Sequence, residues 1–558
     1  MKYYVNTAID YANAAPHIGH AYEKIAADIV ARYQRLLGKD VFFLTGTDEH
    51  GIKVEKAAAA AGKSPQEFVD EVAGKFQDAW KRLYISNDFF IRTTQEKHKL
   101  VVQEVFRRMK AKGDVYVGSY KGLYCEGCED FLRERDLVDG KCQNHLREPK
   151  VVEEENYFFR LTKYKEPLRK WLSSEEAHVK PDGRRQEVLN QLEDPELGDF
   201  SITRSRSSLT WGIPVPDETD QVIYVWIDAL TNYITGVGFL HDPEMFAKYW
   251  PSDLHVIGKD ITKFHAIYWP AMLMSADIEL PQLVFGHGFI TVEGQKMSKT
   301  LGNVLDPNFL AGKYGADAIR YFLFAANTFD KDGDFSRNEM MKLVNSHLAD
   351  GIGNLLNRIV KLLETRFESK LPDLELDSEL LFSSEQASKQ YHEYMQEFEF
   401  AKAIDAVKKG IVDEANKYVT AKEPWKLFKQ AGEEADPDVK EAKMNEGGAV
   451  LATVATMLKR AAILLAPFTP KLSSDIWEQL GYSSPLSEVT VDKGYSDPVP
   501  PGQQVRNLGP VFKRIEDEES SDGSGGNGSA KPGAAGKKSE SAAKAKGKEE
   551  SSGKKKSK

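Results

Sequence analysis

His17 and His20 stand three residues apart in the stretch Tyr11 to His20, YANAAPHIGH, with Gly19 between them. At the start of a helix this spacing puts both imidazoles on one face. They lie there beside backbone N–H groups without a helical partner, at the positive end of the dipole, where phosphate binds well. Gly19 lets a nucleotide approach the backbone closely. Far downstream, Lys296 and Lys299 occur in Lys296-Met297-Ser298-Lys299-Thr300, between Gly294 and Gly302. Two ammonium groups on a Gly-flanked loop suit a polyphosphate. A third cluster holds every cysteine of the chain: Cys125-x2-Cys128, 13 residues, then Cys142-x2-His145. Two such knuckles close a tetrahedral zinc site of three thiolates and one imidazole, and four protein ligands leave no open position. The predicted zinc is therefore structural.

The elements that must position these groups are legible around them. Tyr3 to Thr7 reads as a strand, the apolar spacing of Ile18, Ile25, Ile29, Tyr33, Leu36 and Leu37 as a helix ending at Gly38, and Val41 to Leu44 as a second buried strand. That is a βαβ unit. Thr45-Gly46-Thr47-Asp48-Glu49-His50-Gly51 follows at the carboxyl end of the second strand, where α/β sheets bind ligands. Helical patterns run from Phe68 to Leu83 and from Glu96 to Lys112. Between 114 and 220 the texture turns to short segments rich in Gly, charged and aromatic residues, as in an inserted module. Val222 to Ile227, Leu254 to Ile257 and Gln282 to Phe285 then read as strands completing the same sheet, with a helix at Lys263 to Met274 and short helices near Asp306 to Lys313 and Ala316 to Phe324. From Arg337 to Leu480 the pattern is helical, with Pro424 and Pro470 where helices begin. The fold class is α/β: a Rossmann-like parallel sheet in two parts (1–113 and 221–336) split by a zinc-binding insert (114–220), then an all-α helical bundle (337–515) and a disordered tail (516–558).

Composition narrows the function. The chain has 558 residues, 41% hydrophobic, enough for several cores. The N-terminus has no apolar signal core, and no uninterrupted apolar run approaches membrane-spanning length, so a cytoplasmic protein with no membrane partner is expected. Residues 520 to 558 carry ten lysines against four acids, a net of +6, which leaves −16 on the rest of a chain of net charge −10. RNA binding by so acidic a body must rely on local basic patches and shape. The tail has the composition of a disordered segment. The absence of a GxGxxG fingerprint weighs against a dinucleotide-dependent dehydrogenase.

Taken together and in this order, HIGH and KMSKT resemble the paired signatures of the class I aminoacyl-tRNA synthetases, with Thr300 in place of the commoner serine. TGTDEHG, the cysteine knuckles, TRSRSSLTWGIPVP, YVWIDALTNYI, GKDITKFHAIYWPAML, GHGFITVEGQKMSKT, GNLLNR and EPW are most similar to the methionyl-tRNA synthetases of the single-zinc-knuckle type, over residues 1 to about 515. The insert is short for the separate editing domain of the leucine, isoleucine and valine enzymes. The resemblance implies a monomer that takes L-methionine, ATP with Mg²⁺, and tRNA(Met). His17, His20, Lys296 and Lys299 would be catalytic. His17, Gly19, His20, Glu23, Gly258, Asp260, His287, Ile290 and Lys299 would hold ATP. Ile9, Tyr11, Asp48, Trp226, Ala229, Leu230, Tyr233 and His265 would hold methionine, with Arg204 or Arg206 at its carboxylate. Asn354, Arg358 and Trp425 would read the anticodon, stacking and edge-bonding unpaired bases. The alternatives to this reading are another class I synthetase, a HIGH-bearing nucleotidyltransferase that never handles tRNA, and a non-catalytic RNA-binding or zinc scaffold. Amino-acid-dependent ATP–pyrophosphate exchange separates them.

Overall fold

The computed structural model describes residues 1–516 apart from 126–129, 133, 135, 136, 144, 145, 219 and 298–301. Cys128, His145, Lys299 and the Lys-rich tail thus lie outside the described residues. The central sheet contains seven strands: β1 (Lys2–Thr7), β2 (Asp10–Tyr11), β3 (Asp40–Asp48), β4 (Phe89–Arg92), β5 (Val179–Lys180), β6 (Leu254–Gly258) and β7 (Val284–His287). Their order is β5-β7-β6-β1-β3-β2, with β4 also paired to β3, and every pairing is parallel. The chain leaves β1 toward β3 on one side and returns much later as β6 on the other. The topological switch, and the crevice that accompanies it, therefore lies at the carboxyl ends of β1 and β6.

Alternate residues of each strand feed two cores. Val5, Val41, Phe43, Leu254, Val256 and Phe285 pack with helix α1 (Ile18–Leu36). Tyr4, Phe42, Leu44, Ile257 and Val284 pack on the opposite face. This double burial explains the near-continuous apolar strands. The first core continues without a break into the helical bundle, through Tyr391, Phe400 and Leu464. At that junction Arg320, 0% exposed, donates to Asp28 at 2.7 Å and to the carbonyls of Leu83, Pro467 and Phe468.

One expectation is corrected. Val222 to Ile227 is not a strand of the central sheet: Gln221–Ile223 pairs antiparallel with Thr203–Ser205, and Val225–Leu230 is a helix. The segment is buried on nearly all sides, so its apolar residues carry no helical period. Among the described residues one helix, Pro437–Leu465, is long and apolar enough to cross a membrane by composition; Lys459 and Arg460 interrupt its apolar run, and 94% of its apolar window is buried inside the fold, as the core helix of the bundle. In the insert, Val115–Cys125 and Lys150–Phe159 form a long antiparallel pair, and Val179–Lys180 reaches back to add the edge strand β5.

Candidate active site

Helix α1 begins where the sequence places it, and its first turn is built by the two histidines. His17 is the N-cap: its Nδ1 accepts the Gly19 N–H at 3.1 Å, while His20 Nδ1 accepts the His17 N–H at 3.2 Å. The rings stack with centroids 3.7 Å apart. Because each Nδ1 is an acceptor, the neutral tautomer of each ring carries its proton on Nε2, which makes both imidazoles N–H donors without a formal charge. Burial, reinforced by His17 and Lys24, holds His20 well below the ordinary imidazole pKa. The histidines therefore cap the helix and present donors at the same time.

The lysine loop meets this turn. A Cβ on Gly19 would stand 3.0 Å from the His17 ring and 3.2 Å from Met297 Cε, so Met297 lies over the glycine and a side chain there would be a tight fit. The Ile18 N–H donates to the Leu305 carbonyl at 3.0 Å. Lys296 is exposed at the loop's start, and its carbonyl accepts from Asn303 at 3.2 Å. Met297 and Leu305 thus both lie at the helix start.

The residues assigned to the nucleotide gather at the ends of β6 and β7. Gly258 and His287 are register partners. His287 Nε2 lies 3.1 Å from Glu23 Oε2, and Asp260 lies close to both. Burial raises Asp260, whereas for Glu23 the penalty of burial is outweighed by Lys24 and His287, which lower it. Ile290 opens a short strand paired to Gly333–Phe335.

The residues assigned to methionine lie across the switch, where Tyr11 pairs with Asp48 and both carry on from the ends of strands. Tyr233 and His265 are each 1% exposed. His265 Nδ1 bonds the Ile261 carbonyl at 3.0 Å, so its Nε2 accepts the Tyr233 hydroxyl at 2.7 Å. Burial pushes the imidazole down to about 4, which keeps it neutral. His265 sits in a π-helical turn, Phe264–Tyr268, within the predicted helix. Trp226 stacks on Phe264 at 3.8 Å, and Ala229 and Leu230 follow on the same helix. Ile9 is half-buried against the same core. Of the two arginines, Arg204 is buried over the Tyr224 ring at 4.2 Å and Arg206 is exposed.

Sequence reasoning missed several buried polar groups that brace this site. Asp228 bonds His50 Nδ1 at 2.7 Å and His98 Nε2 at 2.8 Å, pinning the Trp226 helix to the loop after Asp48. Lys24, 1% exposed, lies under the first turns of α1. Nothing in the sequence marks Lys24 as buried, because His20 and Asp28, one turn away on the same face, are polar too.

In the bundle, Asn354 opens a helix (Asn354–Arg366), and Arg358, one turn on, donates to Asn416 at 2.8 Å. Trp425 is 39% exposed at the second position of the helix Pro424–Glu433. These two helices meet through Phe367 and Phe428, ring centroids 5.7 Å apart. In the insert Cys125 and Cys142 are buried at 3% and 2% exposure, and neither forms a disulfide.

Residues 3–148 and 134–360 match the family of class I tRNA synthetases (M), and residues 377–499 match the anticodon-binding domain of tRNA ligases. The methionine–tRNA ligase of Thermotoga maritima is 45% identical over 525 residues, 92% of this chain and 81% of that protein. The chloroplastic/mitochondrial methionine–tRNA ligase of Arabidopsis thaliana is 42% identical over 522 residues, 92% of this chain and 83% of that protein. Among solved structures, the Mycobacterium tuberculosis methionyl-tRNA synthetase in complex with methionyl-adenylate superposes with a TM-score of 0.85 at 38% identity, covering 92% of this chain and all of that one.

Proposed function

This chain belongs to the methionyl-tRNA synthetase family and is an ATP-dependent methionine–tRNA ligase; from that premise we propose which of its residues carry each step. In the first step a carboxylate oxygen of methionine attacks the α-phosphorus of ATP, the bond to the bridging oxygen breaks, and pyrophosphate leaves with that electron pair. The substrate is its own nucleophile, so the protein must align two reactants and stabilise charge growing on phosphate oxygens. His17 and His20 do this as Nε2–H donors at the helix start, and Lys296 and Lys299 neutralise the departing phosphates from the loop. Mg²⁺ accompanies the ATP. In the second step a terminal ribose hydroxyl of tRNA attacks the methionyl carbonyl and gives up its proton, the acyl–phosphate C–O bond breaks, and AMP departs with that electron pair.

Glu23, Gly258, Asp260, His287 and the Ile290 backbone hold adenosine, carboxylates accepting ribose hydroxyls. Asp48 takes the substrate ammonium, and Ile9, Tyr11, Trp226, Ala229, Leu230, Tyr233 and His265 enclose the thioether. Supporting this, the Tyr233–His265 pair is uncharged at neutral pH, which suits an apolar, polarizable side chain. Asn354, Arg358 and Trp425 read the anticodon, a role supported by the exposure of Trp425. Cys125, Cys128, Cys142 and His145 would hold one zinc ion, which when bound cross-links the turns of the insert. The donor set suits zinc, and the two described cysteines are buried thiols. We also propose a cytoplasmic monomer.

The observation that carries the catalytic reading is the stacked, Nδ1-bonded histidine pair with Met297 over Gly19. Its test is methionine-dependent ATP–pyrophosphate exchange by His20→Ala. The expected loss is on the order of 10²-fold in kcat, as for removal of one donor from a developing oxyanion. Exchange within a few-fold of wild type would refute the role.

A further inference from the structure

Lys24 lies one position past Glu23 in the second turn of α1, and its ammonium makes three contacts at the centre of the site. It donates to Asp10 Oδ1 at 2.6 Å, to Glu23 Oε1 at 2.9 Å and to the Ala8 carbonyl at 3.0 Å. Three N–H bonds thus meet three acceptors. Ala8 and Asp10 flank Ile9 and precede Tyr11, on the amino-acid side of the crevice. Glu23 uses its other oxygen on His287, on the nucleotide side. We propose that Lys24 is a positioning residue for both substrates, its ammonium holding the 8–11 segment and the Glu23–His287 pair in one fixed relation across the switch point. This rests on the assignment of Ile9 and Tyr11 to methionine and of Glu23 and His287 to adenosine.

The charges fit that role. Burial works against the charge of Lys24, but Asp10 and Glu23 outweigh it and raise its pKa. Burial pushes Asp10 up to about 7, with Lys24 opposing and Glu23 adding to the rise, while Glu23 itself is lowered. One ammonium cannot offset two buried carboxylates, so the ion pair is kept with Glu23 and Asp10 is the group that takes a proton readily. A wholly apolar contact would hold α1 to β2 at least as firmly as a buried ion pair. What the ammonium adds is direction, since it fixes the orientation of a carboxylate that faces the nucleotide.

The experiment is exchange kinetics of Lys24→Met with methionine and ATP varied in turn. The expected result is a rise of about tenfold in KM for both substrates, with kcat at saturation within about threefold, the pattern of lost positioning in the ground and transition states alike. KM for tRNA in the charging reaction is expected to stay at the wild-type value. Asp10→Asn/Lys24→Met, which leaves Glu23 its contact with His287 and removes the other carboxylate that Lys24→Met would strand, separates positioning from stability and decides the matter alone if the single variant does not fold. Both KM values still raised in a double variant with wild-type Tm upholds the proposal. Both KM values at wild type, in either folded variant, overturns it. Tyr11→Ala and Glu23→Gln serve as controls on the site itself. If they leave KM for methionine and for ATP unchanged, respectively, the site assignment fails and the proposal with it; if they raise them and the Lys24 variants do not, the proposal alone fails.

Discussion

Lowering the pH from about 7.5 to about 5 places the buried imidazole of His265 under a load that can be worked out. In the fold its pKa lies at about 4, pressed down by burial, against an ordinary value of 6.5 in the unfolded chain. A depressed histidine pKa means that the unfolded state takes the proton first. Stability is therefore complete above the unfolded pKa and is lost as pH falls from 6.5 toward 4. At about pH 5 the unfolded imidazole is almost fully charged while the folded one is mostly neutral, and the linkage relation gives a loss of about 2 kcal/mol from this residue. His255, whose ring centroid is 6.2 Å away, is also held below its ordinary value by burial and adds a loss of the same sign. The assay is urea unfolding followed by tryptophan fluorescence at both pH values, for wild type and for His265→Gln. Glutamine keeps an acceptor for the Tyr233 hydroxyl but cannot titrate. Wild type should lose about 2 kcal/mol more than the variant on acidification. Equal losses would show that His265 titrates near its ordinary value and that the Tyr233–His265 contact does not keep a neutral ring in place.

Arg320→Leu should lower stability by about 3–5 kcal/mol, because it strips a buried cation from Asp28 and three carbonyls; a Tm within a degree or so of wild type would contradict this. Trp425→Ala should leave ATP–pyrophosphate exchange intact while reducing tRNA charging by about 10- to 100-fold, the worth of one stacked base. Equal loss in both assays would remove the anticodon role. Metal analysis should find about one zinc per chain, and Cys142→Ser should abolish it with local unfolding of the insert visible by hydrogen exchange. Full zinc retention by that variant would show that Cys142 is not a ligand.

Much of this was legible in the sequence because the first βαβ unit follows elementary rules. Ile18, Ile25, Ile29 and Tyr33 mark the buried face of α1, and Gly38, at φ 77°, ends it. The parallel sheet and the helical half follow the same periodicities. The Val222 to Ile227 stretch misled because a β-branched and aromatic run reads as a strand, whereas its second half is a helix, Val225–Leu230, whose Asp228 is held by His50 and His98 from other elements. No local signal announces a partner 178 or 130 residues away. Lys24 and Asp10 were missed for a related reason. An ion pair between a strand and a helix has no spacing rule, and its members look like solvated residues until the burial of both is seen.

The coincidence of the helix cap with the donor pair leaves nothing to be reorganised when nucleotide arrives. Side chains that must swing into place are slowed by searching and lose entropy on arrival, but here the hydrogen bonds that cap the first turn of α1 also hold its imidazoles in position. A substitution at His17 or His20 is consequently felt twice, once as a frayed helix end and once as a missing donor. An asparagine, which can restore the cap, should recover only the former.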